Sequence, residues 1–102
     1  MRKYSQGDII RIEGYKNLFL IVSRNKLIEA TQCFHVCPIL EEISEGPLHI
    51  AVKGISGTTG TVLCEQIKLI DAAARSCMVR DCIAMADLIN ISDAIQGMFE
   101  YL

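Results

Sequence analysis

Three groups of side chains in this 102-residue chain are of the types that do chemistry. In Cys33-Phe-His-Val-Cys37, two thiols and an imidazole recur every second residue, so on an extended strand they share a face and could offer soft ligands to a metal. Neighbours two apart on a strand stand roughly 7 Å apart, however, and zinc sites draw paired ligands from tighter turns. Cys64, Cys77 and Cys82 add no matching pair. These residues therefore read as thiols packed beside a hydrogen-bonded histidine, with no metal and no cofactor. The second group is the loop Gly54-Ile-Ser-Gly-Thr-Thr-Gly60, which suggests a phosphate cradle. It lacks the Gly-Lys-Ser/Thr ending, and a strand follows it, so no helix N-terminus backs an anion there. It reads as a hairpin connection whose hydroxyls, Ser56, Thr58 and Thr59, can line a groove. The third is a lone imidazole, His49 on a wet strand face, with no Gly-x-Ser-x-Gly elbow and no Ser-His-Asp spacing.

The elements that must position these groups follow from patterning. The chain is 51% apolar and 22% charged with only two prolines, which predicts residues 1–102 as a single domain and excludes disorder, collagen-like repeats and low-complexity linkers. Net charge is −2, so no basic field covers the whole molecule, yet residues 1–26 carry +4 and the remainder −6. Arg11, Lys16, Arg24 and Lys26 thus form a local basic reserve. Apolar alternation and β-branched runs predict strands over 8–13, 18–22, 33–37 (closed by Pro38), 48–53, 61–67 and 76–83. A short helical turn is expected over 26–31 and an acidic surface turn over 41–47. From Met85 the period changes: Leu88, Ile91, Ile95, Met98, Phe99 and Leu102 form one stripe of a terminal helix. The fold class expected is mainly β with a C-terminal helix, a small curled antiparallel sheet or barrel. Five cysteines, a polar start and a longest apolar run of only Leu18–Val22 predict a cytoplasmic protein with free thiols and no membrane segment.

Read in order, the segments resemble the MazF/PemK family of toxins from type II toxin–antitoxin pairs. Gly60-Thr-Val-Leu-Cys-Glu-Gln-Ile-Lys-Leu-Ile-Asp71 is similar to the family's strand with an acidic-Gln pair, a basic residue and Ile-Asp. Gln6-Gly-Asp-Ile-Ile10, Leu18-Phe-Leu-Ile-Val-Ser23, Val36-Cys-Pro-Ile39 and Gly46-Pro-Leu-His-Ile-Ala-Val52 match other family segments, and the helix ending at Phe99-Glu-Tyr-Leu102 falls where the family has its own.

The resemblance implies an SH3-like small barrel of the MazF/CcdB type and a homodimer. It implies an antitoxin peptide or protein as partner, with DNA met only through a toxin–antitoxin complex. It also implies metal-independent cleavage of single-stranded RNA, the 2′-hydroxyl attacking the adjacent phosphate. The family's arginine before proline aligns with Asn17 before Leu18, its hydroxyl position with Leu40, and a second arginine of some members with Leu63. Glu65 and Gln66 are kept. A rebuilt site would rest on Lys16, Asn17 and Glu65 with His35 or His49, and Arg11, Arg24, Lys26, Gln66 and Lys68 would contact RNA. The alternative is an inactive scaffold that binds antitoxin, nucleic acid or a protein target, as CcdB-type relatives bind gyrase.

Overall fold

The computed structural model describes residues 3–100. The elements are β1 (Asp8–Ile12), β2 (Leu18–Ile21), α1 (Asn25–Thr31), β3 (Cys33–Leu40), β4 (His49–Lys53), β5 (Thr59–Leu63), β6 (Lys68–Asp71), β7 (Cys77–Cys82) and α2 (Met85–Gly97). The strands form one antiparallel sheet in the order β4-β5-β3-β2-β1-β7, with β6 added along β3. The fold is therefore mainly β with a C-terminal helix, as expected. The sheet is not closed, but its ends approach: the Ile55 N–H donates to the Cys82 carbonyl at 2.8 Å. That contact curls the β4–β5 hairpin toward β7 and gives the barrel-like shape.

The continuous apolar runs are explained by cores on both faces of the sheet. Alternation along β1 and β2 sends Ile9 and Leu20 to one face and Ile10, Ile12, Phe19 and Ile21 to the other. On the first face α2 lays Leu88 and Ile91 over Val62, Cys37 and Cys64. On the second, Ile28 of α1 and Ile70 of β6 cover Phe19 and Phe34. Each face thus has its own helix, although α1 contributes a single buried residue.

Three expected boundaries move. Strand β3 does not stop at Pro38 but runs to Leu40. Its outer edge pairs with β6 from Cys33 to Val36 and with β5 at Ile39 and Leu40, so Pro38 sits where neither partner requires its missing N–H. The expected strand over 61–67 is instead the end of β5 followed by a turn closed by Gln66 N–H to Leu63 C=O at 3.1 Å, after which β6 begins. Helix α2 ends at Gly97, before Met98 and Phe99; Leu102 of the expected stripe lies outside the described residues. Among the described residues no helix is long and apolar enough to cross a membrane.

Candidate functional site

Where β2 begins and β3 ends, an open groove of about 400 Å³ is lined by Lys16, Asn17, Leu18, Ile39, Leu40, Glu41 and Thr59. The ladder explains why these residues meet. Leu18 is opposite Ile39, so continuing the antiparallel register sets Asn17 near Leu40 and Lys16 near Glu41. Leu40 is opposite Thr61, which brings the start of β5 alongside. Gly60 permits that approach: a Cβ there would lie 2.5 Å from Ile39 Cγ2. Without a side chain at 60, β5 packs tightly on β3 and Thr59 reaches the groove rim.

The groove combines an ammonium, a carboxylate and a hydroxyl, all on exposed residues, over an apolar floor of Leu18, Ile39 and Leu40. Among the described residues neither Lys16 nor Glu41 forms an ion pair, so both heads are available to a ligand lying between them. Asn17 is half-buried, and its Nδ2 donates to the Leu18 carbonyl at 2.9 Å, which turns the amide back onto its own backbone. Lys16 and Asn17, adjacent in the chain, both line this groove. Glu41, read there as part of a surface turn, joins them with Thr59.

Glu65 lies elsewhere. It is in the turn after β5, two residues beyond Leu63, and does not line this groove. There its Oε2 meets His49 Nε2 at 2.8 Å, and this hydrogen bond holds the Glu65 carboxyl below its ordinary range. His49 at the start of β4 and Glu65 in the turn after β5 therefore form a surface pair, a juxtaposition that the sequence did not reveal.

The residues expected to contact RNA are spread over several elements. Arg11 stands exposed on β1 opposite Met78, and Lys26 is exposed on α1. Arg24, the residue before α1, shares a cleft of about 480 Å³ with His35, Ile67, Ile95 and Phe99. Gln66 is exposed in the turn before β6. Lys68 stands on β6, its Nζ 5.7 Å from the centre of the Tyr15 ring.

The glycine-rich loop is the β4–β5 hairpin, and its anion-binding capacity is already used internally. The N–H groups of Ser56 and Thr58 donate to the Asp81 carboxylate at 2.9 and 3.1 Å, and Cys82 N–H adds a third bond at 2.8 Å. These donors, Ser56 foremost, hold the Asp81 carboxyl far below its usual range despite the opposing effect of burial. A Cβ on Gly54 would stand within 2.1 Å of Asp81 Oδ2, so glycine is required for the carboxylate to enter. Nothing in the sequence pattern marked Asp81 as the loop's occupant, because the two meet only through β7.

All five cysteines are free thiols. Desolvation, with smaller contributions from Cys64 and Glu65, pushes the Cys37 thiol up to about 12, and burial pushes Cys64 up to about 11. Both are fully buried, and Cys37 Sγ donates to the Cys64 carbonyl at 3.7 Å. Among the described residues no three His, Cys, Asp or Glu side chains gather as a metal-ligand set.

Comparison with known proteins adds to this geometry. The profile of the PemK-like, MazF-like toxin of type II toxin–antitoxin system matches residues 6–99. MazF in a MazE–MazF crystal structure from Deinococcus radiodurans superposes with a TM-score of 0.83 at 14% identity, over 96% of this chain and 97% of that one. An endoribonuclease from Mycobacterial species gives 0.79 at 19% identity, covering 95% and 91%. An endoribonuclease bound to its cognate antitoxin, also from Mycobacterial species, gives 0.78 at 18%, covering 97% and 99%. At these identities the superpositions establish the fold. No curated protein matches by sequence.

Proposed function

Because the chain belongs to the PemK-like, MazF-like toxin family of type II toxin–antitoxin systems, we propose that it is the toxin of such a pair and cleaves single-stranded RNA in the groove between β2, β3 and β5. The observation that carries this reading is the groove itself: Lys16, Glu41 and Thr59 converge beside Asn17 and Leu40, where the family resemblance locates catalysis. Cleavage by a neighbouring 2′-hydroxyl needs a base, a proton donor and stabilisation of the phosphorane charge, and no metal. In this reading the Glu41 carboxylate takes the proton as O2′ bonds to phosphorus. The P–O5′ bond breaks as the Lys16 ammonium supplies a proton to O5′, and the Thr59 hydroxyl donates to a non-bridging oxygen. The products are a 2′,3′-cyclic phosphate and a 5′-hydroxyl end. Glu65 with His49 acts from the hairpin as a second acid–base pair near the RNA path.

The partner is an antitoxin, as in the toxin–antitoxin complexes with which this fold superposes, and DNA is met only through that complex. A second copy of the chain completes a homodimer through α2, which leaves Ile89 and Phe99 exposed. One observation favours a non-cleaving scaffold: Leu40 occupies the hydroxyl position and Asn17 is hydrogen-bonded to its own neighbour. The test is incubation of purified protein with long single-stranded RNA in excess chelator, followed by mapping of 5′ ends. Discrete 5′-hydroxyl ends that vanish in Lys16→Gln and Glu41→Gln are expected. Intact RNA with the wild type would leave the scaffold reading.

A further inference from the structure

We propose that the cleft formed by Tyr15, Lys68 and Arg75 binds a phosphodiester of the same RNA strand whose scissile bond occupies the Lys16 groove. The inference rests on the RNA-directed reading above and adds a site remote from its chemistry. The cleft has a volume of about 370 Å³. Lys68 Nζ lies 5.7 Å and Arg75 Cζ 5.5 Å from the Tyr15 ring centre. The ring itself is fixed edge-to-face on Phe19, with centroids 5.1 Å apart and planes at 83°.

Two cations held around one ring repel each other, and cation–π attraction at an exposed site offsets this by only about 1 kcal/mol. Among the described residues neither cation forms an ion pair with a carboxylate. Asp71 also lines the cleft, but its Oδ1 accepts the Ala73 N–H at 2.9 Å. Its carbonyl accepts the N–H groups of Ala74 and Arg75, each at 3.1 Å. Asp71 therefore holds the turn that carries Arg75 toward Tyr15. The arrangement is a pair of cations with no carboxylate at ion-pair distance among the described residues, one with a planar fork suited to phosphate oxygens, beside Leu69, which is 63% exposed and offers a base an apolar surface.

Continuity with the groove favours RNA over an acidic peptide. Tyr15 lines the cleft and Lys16, the next residue, lines the groove, so a strand lying across the short connection between β1 and β2 touches both. Lys68 is one of the five residues that the family resemblance assigned to RNA; Arg75 and Tyr15 are the partners the fold brings to it.

The test measures binding of a labelled single-stranded 2′-O-methyl RNA, which cannot be cleaved, across a salt series. A Lys68→Gln/Arg75→Gln double variant should bind about tenfold more weakly, and the slope of log affinity against log salt should fall by about 0.7, one phosphate's worth. Arg80→Gln, on the bulge of β7, removes a charge elsewhere and should leave both unchanged. Wild-type affinity and slope in a folded double variant would overturn the cleft while leaving the groove reading intact. No binding by the wild type would overturn both. A double variant that loses affinity for the antitoxin but keeps it for RNA would reassign the cleft to a peptide.

Discussion

At the scale of single residues, function depends on which charged groups remain free of internal partners. The Asp81 carboxylate is satisfied by three backbone N–H groups and is not poised for solvent chemistry, whereas Glu65 is paired at the surface with His49. Lys16 and Glu41 form no ion pair among the described residues and share a groove. Removing the base should cost at least about 100-fold in rate, the lower end of general acid–base contributions. Glu41→Gln is therefore expected to reduce cleavage to that extent without weakening binding of uncleavable RNA, a comparison that separates catalysis from affinity. The thiols give a second residue-level prediction. Cys37 and Cys64 are buried with raised pKa values, so thiol reagents at neutral pH should modify Cys33, Cys77 or Cys82 and spare these two until the protein unfolds. Burying the neutral form stabilises the fold fully below the ordinary thiol value of 9.0. That contribution is lost as pH rises toward about 11 for Cys64 and about 12 for Cys37. Urea midpoints should fall over that window, and Cys64→Ala should flatten the decline. Midpoints that do not change between pH 9 and 11 would contradict the assignment.

At the scale of elements, the decisive device is the tie between the β4–β5 loop and β7. Gly54→Ala places a Cβ against Asp81 Oδ2 and should destabilise by about 1–3 kcal/mol, as overpacking does. Asp81→Asn strands loop N–H donors and should lower the melting temperature as well. Because both act on one contact, the double variant should be less destabilised than the two single effects added together, a non-additivity that thermal melts would measure. Additive effects would mean that the loop and β7 are independent. The same tie shows what the sequence could and could not disclose. Strands β1 and β4 and helix α2 were legible because their apolar residues keep a period over a local stretch, and β2 because its run is continuously apolar. The break between β5 and β6 was not, since Val62 to Ile70 holds no glycine or proline and the turn forms because both strands share the β3 edge. Pro38 misled for the converse reason: its missing N–H falls at the gap between those two partners. Asn17 and Leu40 were found by family likeness, whereas Glu41 sits in an acidic loop whose approach to Lys16 exists only in the folded sheet.

At the scale of the whole molecule, membership in the toxin family fixes the scaffold, and the substituted site decides what the scaffold does. The basic quarter of the sequence does not fold into one face: Lys16 enters the groove, Arg24 a different cleft, and Arg11 and Lys26 other surfaces. A pathway for RNA therefore depends on local convergence at Lys16 and at Tyr15, Lys68 and Arg75. Phe99 is 75% exposed just beyond α2, so if the proposed homodimer forms there, Phe99→Glu is expected to shift it to monomer in sedimentation while leaving its circular dichroism unchanged. The most direct test of RNA cleavage is induced expression in a bacterial host, with growth scored and RNA 5′ ends mapped in one culture. Growth arrest with new 5′-hydroxyl ends, both abolished by Glu41→Gln and both suppressed by co-expressed antitoxin, is the predicted result. Arrest with an unchanged RNA end map, or ends that persist in Glu41→Gln, would contradict the account.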